Sequence, residues 1–315
     1  MKSKLIVIAG PTASGKTSLA VELAKKYNGE VVSADSMQIY KNMSIATAKP
    51  TAEEMSGIKH HMIDFLDPGK IYSVGQYVLD ATKIIDDILG RGKLPIICGG
   101  TGLYIDSLIK GIDFTENSSD LELRKELEAT FEEQGVGYLL DMLREFDPES
   151  AERLSSQINI KRIIRAIEFY KTTGITITEQ NERSKLNEPK YDSLIFCLTA
   201  KDRQYIYDRI NLRVDIMINN GLIEEAEEVL NSNLGVTASK AIGYKQLRPY
   251  FDGEATLEEC IEKLKTETRH YAKRQLTWFR RNEDIIKVNI DEYRSTQKQV
   301  EFISEIIDKQ RFLYG

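Results

Sequence analysis

Residues Gly10-Pro11-Thr12-Ala13-Ser14-Gly15-Lys16-Thr17 fit the pattern G-x-x-x-x-G-K-[ST] and narrow the possible folds more than any other stretch. The apolar run Leu5-Ile6-Val7-Ile8-Ala9 precedes them, and a helical pattern from Ser18 to Tyr27 follows. A strand, a glycine loop and a helix start make a phosphate cradle. The backbone N–H groups of such a loop converge on phosphate oxygens, and the positive end of the helix adds to their field. Lys16 would neutralise the terminal phosphates and the Thr17 hydroxyl would reach a Mg2+ ion. The pattern specifies a polyphosphate, not which one.

Short apolar runs alternate with helical patterns through the first hundred residues. Strands are predicted at Leu5–Ala9, Glu30–Ala34 and Leu94–Cys98. A helix is predicted from Ser73 to Gly90, opened by a Ser73/Gln76 capping box and ended by Gly90 and Gly92. Such alternation predicts an α/β fold, a P-loop NTPase-like parallel sheet with helices on its faces. Ligands then gather at the carboxyl ends of the strands. From about residue 113 charges dominate and helical spacing replaces strand runs, between the polar stretches Glu116–Asp120 and Asn181–Lys190. We expect a helical insertion domain over 113–190, and a P-loop core built from 1–112 and 191–315. In the core's second part, Leu194–Leu198 and Asp284–Asn289 read as strands separated by long helical patterns.

The formal net charge is -6, so any nucleic-acid surface must be a local patch. Cys98, Cys197 and Cys260 are far apart and lack metal-ligand spacing, which points to a reduced, cytoplasmic setting. The apolar run after the N-terminal lysines is too short for a signal peptide, and nothing approaches transmembrane length.

Three strand ends should meet at one sheet edge. The first carries the P-loop, the second runs Val31 to Gln38, and the third runs Cys98 to Tyr104. Asp35 becomes an acid beside the phosphate site, able to hold Mg2+ through water or to accept a proton from a substrate amine. The plainer reading is a loop aspartate capping a turn. Gly99-Gly100-Thr101-Gly102 has the form of a second glycine turn where backbone approaches a ligand, or of a simple strand-to-helix turn.

Thr256 and Glu259 form a capping box at the head of a long helix whose second half holds Arg269, Tyr271, Lys273, Arg274, Trp278, Arg280 and Arg281. Arg269, Lys273 and Arg280 share a face, and the interleaved aromatics suit an RNA backbone with stacking bases. Acid first and base last also suits the helix dipole alone. Lys161, Arg162 and Arg165 form a smaller basic face in the insertion. Arg209 and Arg213, one helical turn apart, would clamp phosphate opposite Lys16 or sit solvated on a helix surface. The adjacent His60 and His61 point apart and make a poor metal site.

These motifs together resemble the tRNA dimethylallyltransferase (tRNA isopentenyltransferase) family, bacterial type. The matching stretches are Gly10–Thr17, Asp35–Lys41, Thr47–Pro50, His60–Asp64, Gly99–Tyr104, Arg162–Glu168, Ala241–Lys245 and Tyr271–Arg280, in family order over nearly the whole chain. Ser156–Ile160 lacks the proline-containing segment that members often show there, and the zinc finger of eukaryotic members is absent.

The resemblance implies transfer of a dimethylallyl group from its diphosphate to N6 of adenosine at position 37 of tRNA, with Mg2+ as cofactor. Residues Gly10, Pro11, Thr12, Ala13, Ser14, Gly15, Lys16 and Thr17, with Arg209 or Arg213, would hold the diphosphate, Thr17 being the metal ligand. Asp35, Thr101 and Lys16 would be catalytic. The anticodon stem-loop would meet Asp35, Ser36, Met37, Gln38, Thr101, Arg124, Gln157, Asn159, Lys161, Arg162, Arg165, Lys273, Arg274 and Arg281. The expected partners are tRNA and dimethylallyl diphosphate, with no membrane and a monomeric protein. A small-molecule or nucleoside kinase holding ATP in the same cradle is the leading rival, and an RNA-binding P-loop switch is a third reading.

Overall fold

The computed structural model describes residues 2–112, 120–186 and 188–313. The expected boundary at residue 113, most of the polar stretch Glu116–Asp120 and Asn187 of the second stretch lie outside them. The chain divides into two compact units, Met1–Ile109 with Lys190–Gly315, and Lys110–Pro189.

The larger unit begins β1 (Ser3–Ala9), α1 (Lys16–Lys26), β2 (Gly29–Ser33), α2 (Ala52–Met55), β3 (His60–His61), α3 (Val74–Gly90), β4 (Leu94–Gly99) and α4 (Gly102–Ile109). The smaller unit holds α5 (Leu121–Arg144), α6 (Pro148–Ser156), α7 (Ile160–Thr173) and α8 (Ile177–Leu186). The larger resumes with β5 (Tyr191–Thr199), α9 (Arg203–Asn219), α10 (Leu222–Leu230), a 3-10 turn at Ala238–Lys240, α11 (Tyr244–Phe251), α12 (Leu257–Phe279), β6 (Ile286–Asn289) and α13 (Thr296–Lys309).

The strands form one sheet in the order β3-β2-β4-β1-β5-β6, with every pairing parallel. Because helices cover both faces, β1 is apolar without alternation and its residues Leu5 to Ala9 are all buried. Successive side chains still point to opposite faces. Leu5, Val7 and Ala9 join the layer of α3, α4, α10 and α11, with Tyr77, Tyr104, Ala226 and Tyr244. Ile6 and Ile8 join the layer of α1 and α13, with Leu19, Leu23, Ile303 and Ile307. Cys98, Cys197 and Cys260 are all buried and unpaired.

The capping box at Thr256 and Glu259 forms in full. At α3 only half of the expected box exists: Ser73 accepts from the Gln76 N–H, but the Gln76 amide turns along the helix to Asp80. Asp80 also accepts from the Tyr72 hydroxyl at 2.8 Å, so it draws the glutamine away from the cap.

In the smaller unit, α5, α6 and α7 close on Leu127, Leu139, Leu143, Leu154, Ile163 and Ile167. Buried Asp147 organises its turns, accepting from the Ser150 N–H at α6 and from the Thr178 hydroxyl at α8. Among the described residues no helix is long and apolar enough to cross a membrane.

Candidate phosphate and acceptor site

The P-loop turns out of β1 into α1 at the centre of the sheet. Gly10 has φ 145, and a Cβ there would lie 2.8 Å from the Leu198 carbonyl oxygen of β5, so no side chain fits. Gly15 takes a left-handed φ of 92 as the N-cap of α1. Several donors brace the loop. The Ser14 hydroxyl donates to the Pro11 carbonyl at 2.8 Å, Lys16 Nζ to the same oxygen at 2.6 Å, and Arg209 Nε to the Ala13 carbonyl at 2.7 Å.

One expectation fails here. The Thr12 N–H does not face an open cradle; it donates to Gln275 Oε1 at 2.9 Å. The Thr12 N–H is thus occupied within the protein.

Lys16 and Arg213 are both half-buried, and burial depresses the pKa of each. Arg213 bears on Lys16 as a like charge, and Asp35 attracts both. Two cations held close in a desolvated space, with one carboxylate within electrostatic reach, make a site hungry for an anion. The two arginines differ in their contacts. Arg209 braces the loop through Ala13, whereas Arg213 has no hydrogen-bond partner among the described residues.

On the acceptor side, Asp35 Oδ1 accepts from the N–H groups of Met37 at 2.9 Å and Gln38 at 3.3 Å. The turn-capping reading thus holds for one oxygen. Oδ2 has no hydrogen-bond partner among the described residues. Thr101 Oγ1 accepts from the Ser36 N–H at 3.0 Å and lies 3.4 Å from the Ser36 hydroxyl. Tyr271 lies close to Thr101, and burial pushes its hydroxyl pKa far up, so it stays protonated.

At the Gly99–Gly102 turn the backbone approaches other parts of the chain closely. A Cβ on Gly99 would lie 2.2 Å from the Ala34 oxygen, one on Gly100 2.1 Å from Gln275 Nε2, and one on Gly102 2.2 Å from the Trp278 ring. Trp278 is accordingly a packing residue. It is half-buried, its Nε1 donates to Asp106 at 2.9 Å, and Arg281 lies over the ring at 5.7 Å. Arg269 departs from its expected face as well, bonding Asn211 on α9 and Thr266. Lys273, Arg274, Arg280 and Arg281 stay exposed.

Gln38 is also internal. Its amide donates to the Thr47 and Ala48 carbonyls and its oxygen lies 3.3 Å from the Ser33 hydroxyl. The segment it holds is fixed from the other side by Glu225. That carboxylate accepts from three consecutive N–H groups, those of Ser44, Ile45 and Ala46, and from the Tyr244 hydroxyl at 2.9 Å. Gly243 passes so close that a Cβ would lie 2.8 Å from Ala46 Cβ. The Thr47–Pro50 and Ala241–Lys245 motifs thus meet in one clamp. His60 bonds the Ile58 carbonyl, and His61 bonds buried Glu30, which also holds Arg91 and Lys93.

In the smaller unit, Lys161, Arg162 and Gln157 are exposed. Asn159 caps α7 by accepting the Arg162 N–H. Arg124 and Arg165 are tied inward, both to the fully buried Glu168, at 2.6 and 3.1 Å. An isolated buried carboxylate is costly, so these arginines serve first to neutralise it.

Sequence reasoning gave no role to Gln275 or Glu225, and read Tyr271 only as one of the aromatics that could stack on RNA bases. Tyr271, Gln275 and Trp278 stand at i, i+4 and i+7, the spacing of one helix face, so an inward stripe on α12 was readable. Glu225 sits in an acidic run, Glu224 to Glu228, that conceals it.

Comparison with known proteins bears on the same residues. A family model described as IPP transferase matches residues 38–282. The tRNA dimethylallyltransferase of Acetivibrio thermocellus is 48% identical over 296 residues, 93% of this chain and 94% of that one. The tRNA dimethylallyltransferase of Bacillus cytotoxicus is 48% identical over 96% of this chain and 95% of its own. The crystal structure of tRNA isopentenylpyrophosphate transferase from Bacillus halodurans superposes with a TM-score of 0.71 at 41% identity, covering 99% of both chains. A eukaryotic dimethylallyltransferase acting on tRNA superposes with a TM-score of 0.81 at 29% identity, covering 98% of this chain and 80% of that one. Likeness that runs from the phosphate loop through α12 at this level of identity makes the chain a member of the IPP transferase family.

Proposed function

We propose that this protein transfers a dimethylallyl group from dimethylallyl diphosphate to N6 of the adenosine at position 37 of tRNA, releasing pyrophosphate. One observation carries the reading at the level of chemistry. Lys16 and Arg213, two desolvated cations that repel each other, stand within electrostatic reach of the acid Asp35. A diphosphate between the cations relieves their repulsion, and an amine beside the acid finds its proton acceptor.

The donor's diphosphate lies in the P-loop, against the loop N–H groups after Thr12, with Lys16 and Arg213 on its oxygens. Their fixed charges stabilise the negative charge that builds as the carbon–oxygen bond breaks. Adenine N6 is a weak nucleophile because its lone pair is delocalised into the ring. Asp35 Oδ2 accepts a hydrogen bond from N6, orients its remaining lone-pair density toward the prenyl carbon, and takes the proton as the C–N bond forms. Thr101, held by Ser36, lines the point where amine and prenyl carbon meet.

Mg2+ fits this site. Thr17 opens α1, is half-buried, and its hydroxyl has no partner among the described residues. A hydroxyl with diphosphate oxygens and water is the all-oxygen donor set the ion prefers. When bound, the ion would screen the charge of the departing pyrophosphate.

The target base must leave the anticodon stack, at a cost of roughly a few kcal/mol. Exposed Lys273, Arg274 and Arg281 on the larger unit, and Lys161 and Arg162 with Gln157 on the smaller, offset that cost by contacting the RNA backbone. Ser36 and Met37 meet neighbouring nucleotides. Gln38, Asn159, Arg124 and Arg165 act mainly by holding these surfaces in shape. The protein works as a cytoplasmic monomer.

The test is incubation with unmodified tRNA, Mg2+ and labelled dimethylallyl diphosphate, with a parallel reaction containing ATP. Label on the tRNA is the expected result. ATP consumption without prenylation would instead establish a kinase and refute the proposal.

A further inference from the structure

Gln275 stands on α12, far in sequence from both loops that it touches. Its Oε1 accepts from the Thr12 N–H of the P-loop at 2.9 Å, and its Nε2 donates to the Gly100 carbonyl of the β4–α4 turn at 2.9 Å. The side chain is 6% exposed. Gly100 has no room for a Cβ, which would meet Gln275 Nε2 at 2.1 Å. The next residue is Thr101, whose hydroxyl holds the Ser36 N–H in the turn carrying Asp35. One amide therefore joins the loop that grips the donor to the turn that presents the acceptor.

We infer that Gln275 is a positioning residue that sets the separation between the bound diphosphate and the Asp35–Thr101 acceptor turn. The inference rests on the prenyl-transfer reading above. Amide chemistry suits the task. A planar group with one acceptor and one donor, fixed about 2 Å apart by covalent geometry, spaces two backbone groups more rigidly than packing would. Both of its bonds are made in a dry environment, where leaving either backbone group unpaired is costly. The neighbouring side chains Lys273 and Arg274 are exposed, whereas Gln275 is buried. Changes at Gln275 therefore leave the RNA-facing surface as it is.

The experiment separates the two ends of the bridge. Gln275→Glu keeps an acceptor for the Thr12 N–H but sets a carboxylate oxygen against the Gly100 carbonyl. Gln275→Met fills the space and makes neither bond. Gly100→Ala pushes on the bridge from the other side. Single-turnover rates at saturating donor and tRNA are measured, since these do not depend on the fraction of active enzyme. Gln275→Glu and Gly100→Ala should each slow the single-turnover step by on the order of a hundredfold, the penalty for misplacing reactants by about 1 Å. In Gln275→Glu the donor KM should stay within about threefold of wild type, whereas in Gln275→Met both donor KM and rate should suffer. The tRNA dissociation constant should be unchanged in all three. The Gly100→Ala/Gln275→Glu double variant should be little slower than either single one, because both break the same bridge.

Wild-type single-turnover rates in folded Gln275→Glu and Gln275→Met would overturn the inference, as would fully multiplicative losses in the double variant. A wild-type protein that transferred no prenyl label would instead sink the proposed function itself, so the two failures are distinguishable.

Discussion

Replacing Gly102 with alanine tests what Trp278 is for. The new Cβ would lie 2.2, 2.5 and 2.6 Å from Cδ1, Nε1 and Cγ of the indole, all far inside contact distance. The ring cannot retreat freely, because its Nε1 donates to Asp106 at 2.9 Å. Overpacking of this kind costs about 1–3 kcal/mol. Breaking a hydrogen bond to a charged group adds about 1.5–3 kcal/mol. The gain in helix propensity from Gly to Ala is at most about 1 kcal/mol and smaller at the first residue of α4, so it does not reverse the sign. A net loss of about 1.5–6 kcal/mol lowers the melting temperature of a unit this size by roughly 3–24 °C. Calorimetry on Gly102→Ala, Trp278→Leu and the double variant is the assay. The double variant removes the obstructing ring and should recover most of the Gly102→Ala loss beyond that of Trp278→Leu alone. If Trp278 were instead a platform for an RNA base, Trp278→Leu would cost about 1–3 kcal/mol of tRNA binding. The packing role leaves tRNA affinity within about threefold. A Gly102→Ala protein that melts with wild type, or a Trp278→Leu protein that binds tRNA many-fold more weakly, refutes the reasoning.

Asp35→Asn should lower the single-turnover rate by about 10²–10⁴-fold with tRNA and donor affinity nearly kept, measured by rapid quench; an unchanged rate removes Asp35 from proton transfer. Arg213→Gln should weaken pyrophosphate binding in calorimetry more than Arg209→Lys does, since Arg209 already serves the Ala13 carbonyl; equal losses would reverse the assignment. Glu30 is held well below the ordinary carboxylate range by hydrogen bonds from Arg91, Lys93 and His61, against the opposing effect of burial. A depressed folded-state pKa contributes stability that is complete above the unfolded value and lost as pH falls below it. Urea midpoints of wild type should therefore drop steeply on acidification below the ordinary glutamate pKa, and those of Glu30→Gln should drop less; parallel curves would contradict this. Changing Arg274 and Arg281 together to Gln should reduce the salt slope of tRNA binding by about 1.4, two single-strand phosphate contacts' worth, and an unaltered slope would exclude them from the RNA surface.

Local pattern carried most of the fold. The P-loop, its flanking strand and helix, and the parallel strands at Glu30–Ala34, Leu94–Cys98 and Leu194–Leu198 are legible because a sheet buried on both faces requires unbroken apolar runs. The helical character of the insertion was legible from charge and helical spacing. Contacts made by long-range closure were not. Thr12 and Gln275 are 263 residues apart, and nothing near Thr12 announces that its N–H is occupied. Glycines at 99–102 advertised a close approach correctly, but the approaching group proved to be Ala34, Gln275 and Trp278. The ion pairs of Arg124 and Arg165 were not legible, because a run of residues shows charge and hides the buried Glu168 that they share.

The order of the sheet has a consequence for how the chain reaches its native state. The central strand β1 lies between β4 and β5, and its register with β5 joins residues such as Lys4 and Asp192, 188 positions apart. A ribosome delivers β1, β2, β3 and β4 early, then the whole of α5–α8, and only then β5. Throughout that interval one side of the innermost strand has unmet amide and carbonyl groups, the kind of open flank that recruits foreign strands. Autonomous collapse of the four intervening helices, which close on their own apolar cluster, draws the ends of the insertion together and shortens the loop that β5 must close. Helices inserted in the sequence between two neighbouring strands would then also hasten completion of the sheet.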